Sequence, residues 1–290
     1  MRCGGRTLTL KHWIVAVFTL FGATPALSEA QLVAKLAFDI AGAEELSAIE
    51  LDPTGTAFTM VTDRGFLLRG ELTRTDEVLN GLTISQMIPL KGVDGHPLGD
   101  GQTDSEGIAF GPNGQLYISF EGRSRIMAYD QPDGPALPIK RAATFDSFQS
   151  NAGLEALATG PDDTIYTIPE RSGRFDLPFP VYRYRNDWDI AFTIPRSDSF
   201  LVTGADIGPD GKFYLLERDF LGVGFRSRVR RFDMDGTNEE TLLQTELRTH
   251  SNLEGIAVWR DTTGHIRLTM VSDNGQTFGP STLVEYQLTD

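Results

Sequence analysis

Short runs of alternating apolar and polar residues recur along nearly the whole chain, broken by Gly, Pro, Asn and Asp. No long segment carries apolar residues at a 3.6-residue period, so the pattern predicts strands throughout. Four segments repeat one motif: Glu106-Gly-Ile-Ala-Phe-Gly-Pro-Asn-Gly114, Glu155-Ala-Leu-Ala-Thr-Gly-Pro-Asp-Asp163, Asp206-Ile-Gly-Pro-Asp-Gly211 and Glu254-Gly-Ile-Ala-Val258. A weaker copy is Leu46-Ser-Ala-Ile-Glu-Leu-Asp-Pro-Thr-Gly55. Aligning Ile49, Ile108, Leu157, Ile207 and Ile256 gives intervals of 59, 49, 50 and 49 residues.

Each unit reads as four strands. In the second they are predicted at 106–110, 115–120, 125–130 and 137–145, with Pro112-Asn113-Gly114 turning the first onto the next. In the fourth they fall at 202–207, 212–217, 228–234 and 240–247. Four-stranded units of this length define an all-β propeller. The fifth unit has only three strands, at 255–260, 266–272 and 282–288. Residues 31–40 form a strand without a unit of its own, which can complete the last sheet and remove its open edge. The count is five blades, or six if the 59-residue interval hides a degenerate one.

The repeat brings carboxylates together. Glu106 and Glu121 lie symmetrically about the Asn113-Gly114 turn, as do Glu155 and Glu170 about theirs. The pairs Asp206 with Glu217, Ala48 with Asp63, and Glu254 with Asp273 follow the same scheme. Antiparallel pairing then places an acid from every blade on one face, with Glu106, Glu155, Asp206 and Glu254 nearest the axis. Like charges so crowded need compensation. Three solutions are open: a hard cation such as Ca²⁺ held by these four residues, latches in which each carboxylate accepts backbone N–H bonds from a neighbouring blade, or protonated or shared-proton pairs. Arginine follows the outer acid in Asp63-Arg64, Glu170-Arg171 and Glu217-Arg218, and lies two on in Glu121-Gly122-Arg123. Arg64, Arg123, Arg171 and Arg218 are thus candidates for holding an anionic substrate, or ordinary inter-blade ion pairs. Arg228, Arg230 and Arg231 read as a solvated strand face.

Composition narrows the setting. Arg2, Arg6 and Lys11 precede a short apolar stretch, Trp13–Phe21, and Ala26-Leu27-Ser28 suits a signal peptidase. Residues 1–28 are therefore expected to be a signal peptide, and 29–290 one propeller domain in the periplasm or outside the cell. Loss of the leader removes the single cysteine, Cys3, and shifts the net charge from −14 to −17 by the same count. Such an acidic chain repels nucleic acid and anionic lipid and suits cations. No membrane association is expected after cleavage.

Familiar catalytic devices are missing from the sequence. It has no Gly-x-Ser-x-Gly elbow, no zinc-spaced histidines and no Gly-rich phosphate loop between strand and helix, so no organic cofactor is expected. His96, in a Gly-rich loop, and His250, just before the fifth inner strand, are the candidate general bases or ligands. Phe175-Asp-Leu-Pro-Phe-Pro180 is a candidate lid or partner contact, or a loop packed on the blade edge.

Seven segments span the mature chain: Leu46-Ser-Ala-Ile, Val61-Thr-Asp-Arg-Gly65, Asp104-Ser-Glu-Gly-Ile-Ala109, Asn151-Ala-Gly-Leu-Glu155, Leu215-Leu-Glu-Arg218, Asn252-Leu-Glu-Gly-Ile-Ala257 and Val271-Ser-Asp-Asn274. In these the chain resembles the phytase-like family, also described as esterase-like activity of phytase, of exported bacterial proteins. The resemblance implies a propeller and suggests hydrolysis of phosphate or carboxylate esters. The chain lacks the lysine-rich cleft that phytate demands, so a small monoester or lactone suits it better. The expected activity is metal-assisted hydrolysis. The alternative is a propeller that binds a ligand or protein partner and catalyses nothing.

Overall fold

The computed structural model describes residues 29–42, 45–148, 153–273 and 279–289. Five four-stranded antiparallel sheets stand around an axis. Blade one is β2 (Leu46–Leu51), β3 (Ala57–Thr62), β4 (Phe66–Thr75) and β5 (Val78–Pro89). Blade two is β6 (Ser105–Phe110), β7 (Leu116–Phe120), β8 (Arg125–Tyr129) and β9 (Leu137–Pro138). Blade three is β10 (Leu154–Thr159), β11 (Ile165–Pro169), β12 (Phe179–Tyr184) and β13 (Trp188–Ile194). Blade four is β14 (Leu201–Ile207), β15 (Phe213–Phe220), β16 (Phe225–Phe232) and β17 (Glu240–Gln244). Blade five holds β18 (Asn252–Arg260), β19 (Ile266–Asp273) and β20 (Ser281–Thr289).

Its fourth strand is β1 (Glu29–Phe38), antiparallel to β20 with Phe38 opposite Ser281. The ring is therefore closed by the N-terminal strand, as the sequence pattern predicts. The first strands β2, β6, β10, β14 and β18 touch in succession and β18 returns to β2. The 59-residue interval is filled by the long β4–β5 hairpin and the loop to β6, so there is no sixth blade among the described residues. The leader expected at 1–28 lies outside those residues. Among them no helix is long and apolar enough to cross a membrane.

The core is five apolar layers, one in each gap between blades. Ile168, Phe179 and Val181 of blade three meet Val202, Phe213 and Phe232 of blade four. Met60, Leu68 and Leu46 of blade one meet Val271 and Leu283 of blade five, which seals the ring with the same chemistry as the other gaps. The arginines of β16 correct the sequence reading. Arg230 is fully buried and Arg228 nearly so, and both donate to Glu217, with Arg230 Nε at 2.8 Å. They alternate with Val229 on the strand, so both reach into blade four rather than out to solvent. A carboxylate wholly out of water persists because two guanidiniums saturate it.

Candidate metal centre at the acidic mouth

Each innermost strand carries a β-bulge one or two residues from its start. Pairing skips between Leu46 and Ala48, Ser105 and Ile108, Leu154 and Ala156, Val202 and Gly204, and Leu253 and Gly255. The skipped residues are Ser47, Glu106 together with Gly107, Glu155, Thr203 and Glu254. A bulge re-aims its side chain, here toward the axis at one mouth of the channel. The next residue is small in every blade. A Cβ on Gly255 would sit 2.6 Å from Ala48 Cα, and one on Gly107 2.7 Å from Leu157 Cβ. These contacts narrow the waist to about 10 Å³, bordered by Glu106, Gly107, Gly204 and Gly255. That leaves little room for water between the innermost strands at this level.

A second ring is made by the residues one beyond those that face the start of each bulge (Thr62, Phe120, Pro169, Glu217 and Ser272): Asp63, Glu121, Glu170, Arg218 and Asp273. Blade four is the exception in both rings, with Thr203 and Arg218 where its neighbours carry mostly acids. Arg218 is sunk among the carboxylates. It donates to Glu170 at 3.2 Å, to Asn252 at 2.8 Å and to Glu254. Burial pushes Glu254 up to about 8 despite this guanidinium, and Glu155 beside it rises well above its ordinary value for the same reason. Blades three, four and five are thus latched across the mouth by one arginine.

The other side of the mouth differs. Asp63, Asp104 and Glu106 each offer an oxygen, all within 4.8 Å of one another. Asp63 accepts from Ser47, and Asp104 is hydrogen-bonded to Glu121. Among the described residues no ion pair reaches Asp63, Asp104 or Glu106, and Arg125 acts on Asp104 only as a nearby charge. Burial, then the neighbouring carboxylates, pushes Asp63 up to about 7 and Glu106 well above the usual range. Three hard oxygen donors with no lysine or arginine between them fit a divalent cation of the Ca²⁺ or Mg²⁺ type.

The candidates read from sequence therefore separate. Glu106 is in this donor set, Glu155 lies behind it, and Glu254 is engaged by Arg218. Asp206 does not belong: it lies at the opposite mouth, where its carboxylate accepts the N–H of Ile207 at 2.7 Å and of Val258 at 2.6 Å. Matching Ile207 to Ile108 slips the alignment by two residues. The turns Gly111–Gly114 and Gly208–Gly211 set the true register, which puts Thr203 level with Glu106. The signal that could have found it is the pair of skipped residue and small residue: Ser47-Ala48, Glu106-Gly107, Glu155-Ala156, Thr203-Gly204, Glu254-Gly255.

Among the proposed substrate arginines, Arg218 is part-buried and held in its latch, while Arg64 bonds Glu45 at 2.9 Å and Arg171 bonds Glu170 at 2.8 Å. The side chains of both remain half exposed at the rim. Arg123 is exposed in the β7–β8 loop. The histidines are not in the mouth's donor set. His96 is exposed on its loop, and His250 is buried, with Nε2 2.6 Å from the Tyr286 hydroxyl. Phe175 is 74% exposed with Arg196 stacked on its ring at 4.4 Å, so that loop packs on a neighbouring arginine at the edge of blade three.

Fold and mouth together define a five-bladed propeller with a half-latched acidic ring. The sequence model described as "Phytase-like: Esterase-like activity of phytase" matches residues 42–276, and the chain belongs to this phytase-like family. No curated protein matches it. Among solved structures it is similar to the catalytic domain of the Coprinopsis cinerea GH62 α-L-arabinofuranosidase. That likeness is 11% in identity, covers 92% of this chain and 98% of the other, and has a TM-score of 0.52. It is also similar to the PQQ-bound aldose sugar dehydrogenase of Streptomyces coelicolor, at 14% identity over 92% of this chain and 100% of the other, with a TM-score of 0.48. Likeness at such identities is one of fold.

Proposed function

We propose that the protein is a metal-assisted hydrolase of small phosphate or carboxylate esters, acting outside the cytoplasm, with Ca²⁺ held by Asp63, Asp104 and Glu106. The observation that carries this reading is the division of the mouth. Arg218 neutralises one side, and the other has the same crowding of carboxylates with no cationic side chain paired to its donor set. When bound, a divalent cation supplies Lewis acidity and a water more easily deprotonated than bulk water. Everything else falls to the chain's own residues.

Glu121 is the carboxylate best placed to take up or return a proton. It bonds Asp104, is held by the Gly153 N–H at 3.3 Å, and has a pKa raised first by burial. Arg64 and Arg171 at the rim are suited to an anionic group, each with its side chain half exposed. His96 and His250 have no part in this scheme.

The test is hydrolysis of p-nitrophenyl phosphate, p-nitrophenyl acetate and a small lactone by purified protein, with EGTA and with added Ca²⁺. The reading requires turnover of at least one substrate that EGTA abolishes, Ca²⁺ restores, and Glu106→Gln removes. Metal binding without turnover of any substrate would favour the binding propeller instead.

A further inference from the structure

A recess of about 380 Å³ lies between blades four and five, away from the donor set of Asp63, Asp104 and Glu106. Its charged lining residues are Lys35 and Arg248, and no described carboxylate lines it. In a chain of net charge −14 that is a local reversal of sign. The arginine is built in rather than dangling. Arg248 takes a left-handed φ of 67°, where a long side chain is strained. Its Nε donates to the Val223 carbonyl at 2.6 Å, and its stem lies so close over Gly224 that a Cβ there would meet Cγ at 2.5 Å. From the other side Lys35 is tethered by Nζ to the Thr249 carbonyl at 3.3 Å.

Behind these cations are two polar atoms without partners, His250 Nδ1 and Ser251 Oγ. His250 is 5% exposed and its Nε2 is taken by the Tyr286 hydroxyl. In the tautomer with the proton on Nδ1, Nε2 accepts from the tyrosine hydroxyl and Nδ1–H is a donor with nothing to receive it. A buried polar atom left unpaired costs about 1–3 kcal/mol, and in that tautomer both groups have a proton to offer an acceptor. Of the remaining wall, Val223, Phe225 and Pro280 are apolar and Thr249 and Thr282 are polar, and exposed Phe220, Leu221 and Leu247 are close by in sequence.

We propose that this recess binds a small organic anion, a monocarboxylate with an apolar body. The head lies between Lys35 and Arg248 and supplies acceptors to His250 and Ser251, and the body lies along Val223 and Phe225. Imidazole stays neutral here, since burial and the charge of Lys35 push His250 down to about 4, so the anion is held by the two permanent cations and by neutral donors. Ion, donor and apolar wall converge in one concave site, which is the usual composition of a small-ligand pocket.

The test is calorimetric titration of the purified protein with octanoate in EGTA, which keeps cation-bound carboxylate out of the reading. Octanol and octylamine are the controls. Octanoate is expected to bind one to one, and octylamine not at all. Arg248→Gln and Lys35→Gln should each weaken it by about tenfold, the loss of one charge-assisted contact. Both are surface changes, and a thermal melt reports whether each variant is folded. Glu106→Gln should leave octanoate binding unchanged. Equal binding of octylamine, no binding of octanoate, or affinity untouched in both folded cation variants would each overturn the proposal.

Discussion

Arg218→Gln is the perturbation that most sharply probes how the acidic mouth is held. The guanidinium donates to Glu170, Asn252 and Glu254, and Glu155 lies within its field. Removing one partner from a buried ionic set costs about 3–5 kcal/mol, because the remaining charges are left uncompensated. Set against a total stability of about 5–15 kcal/mol, that is a large fraction. For a chain of this size it corresponds to a fall in melting temperature on the order of 10 °C. The loss must also depend on pH. Glu254 sits near 8 even with Arg218 present, so at pH 5 the variant answers by keeping a proton on Glu254. At pH 8 the wild type has begun to ionise Glu254 beside Arg218, whereas the variant, with Glu254 pushed higher still, must keep the proton and loses that contact. Urea unfolding in EGTA at both pH values measures this directly, with the larger loss expected at pH 8. A loss below about 1 kcal/mol at pH 8 would place the arginine among ordinary surface pairs and refute the latch. An equal loss at both pH values would assign its role to packing rather than charge.

Three further outcomes follow from the same geometry. In EGTA the wild-type protein should lose stability as pH rises from about 4 to 8, the range between ordinary carboxylate values and the folded values of Asp63, about 7, and Glu254, about 8. Folded-state values raised in this way confer stability that is complete at low pH and lost on passing through them, and added Ca²⁺ should flatten the fall in a pH series of thermal melts. Gly255→Val should destabilise by more than about 2 kcal/mol, since its Cβ would meet the Ala48 backbone at 2.6 Å, and a melt midpoint near wild type would show that the waist is looser than described. Arg230→Met, which strips a guanidinium from buried Glu217, should cost about 3–5 kcal/mol in urea melts, while turnover per folded molecule stays unchanged.

Much of this was legible in the chain. The Gly-Pro-x-Gly turns of blades two and four, Gly160-Pro-Asp-Asp163 of blade three and the Asp-initiated relatives in blades one and five mark where each inner strand folds back, and the leftover N-terminal strand foretells closure. Five blades follow from these alone. Glu106, Glu155 and Glu254 were found on a common face because each falls at a fixed distance before its turn or beside a glycine. Asp206 was misplaced because an inner strand with a bulge does not keep strict two-residue alternation. A slip of two residues then keeps the apolar pattern intact while carrying a carboxylate to the other mouth. The burial of Arg228 and Arg230 was hidden for a different reason. Alternating charges on a strand look solvated unless the partner is known, and Glu217 belongs to the adjacent strand. Arg218 was read as a substrate contact for want of one fact, that its blade has Thr203 where its neighbours have glutamate. The pairing of Asp63 with Asp104 and Glu106 joins two blades, a relation that no repeat within one blade encodes.

The central claim is that the side of the mouth not served by Arg218 is completed by a cation. Crystals soaked in Ca²⁺, with anomalous difference maps recorded at a wavelength where calcium scatters, test it most directly. The account predicts one strong peak within bonding distance of Asp63, Asp104 and Glu106, and its absence in Glu106→Gln. A peak at Glu155 and Glu254 with Arg218 displaced, or no peak at the mouth at saturating Ca²⁺, would contradict it.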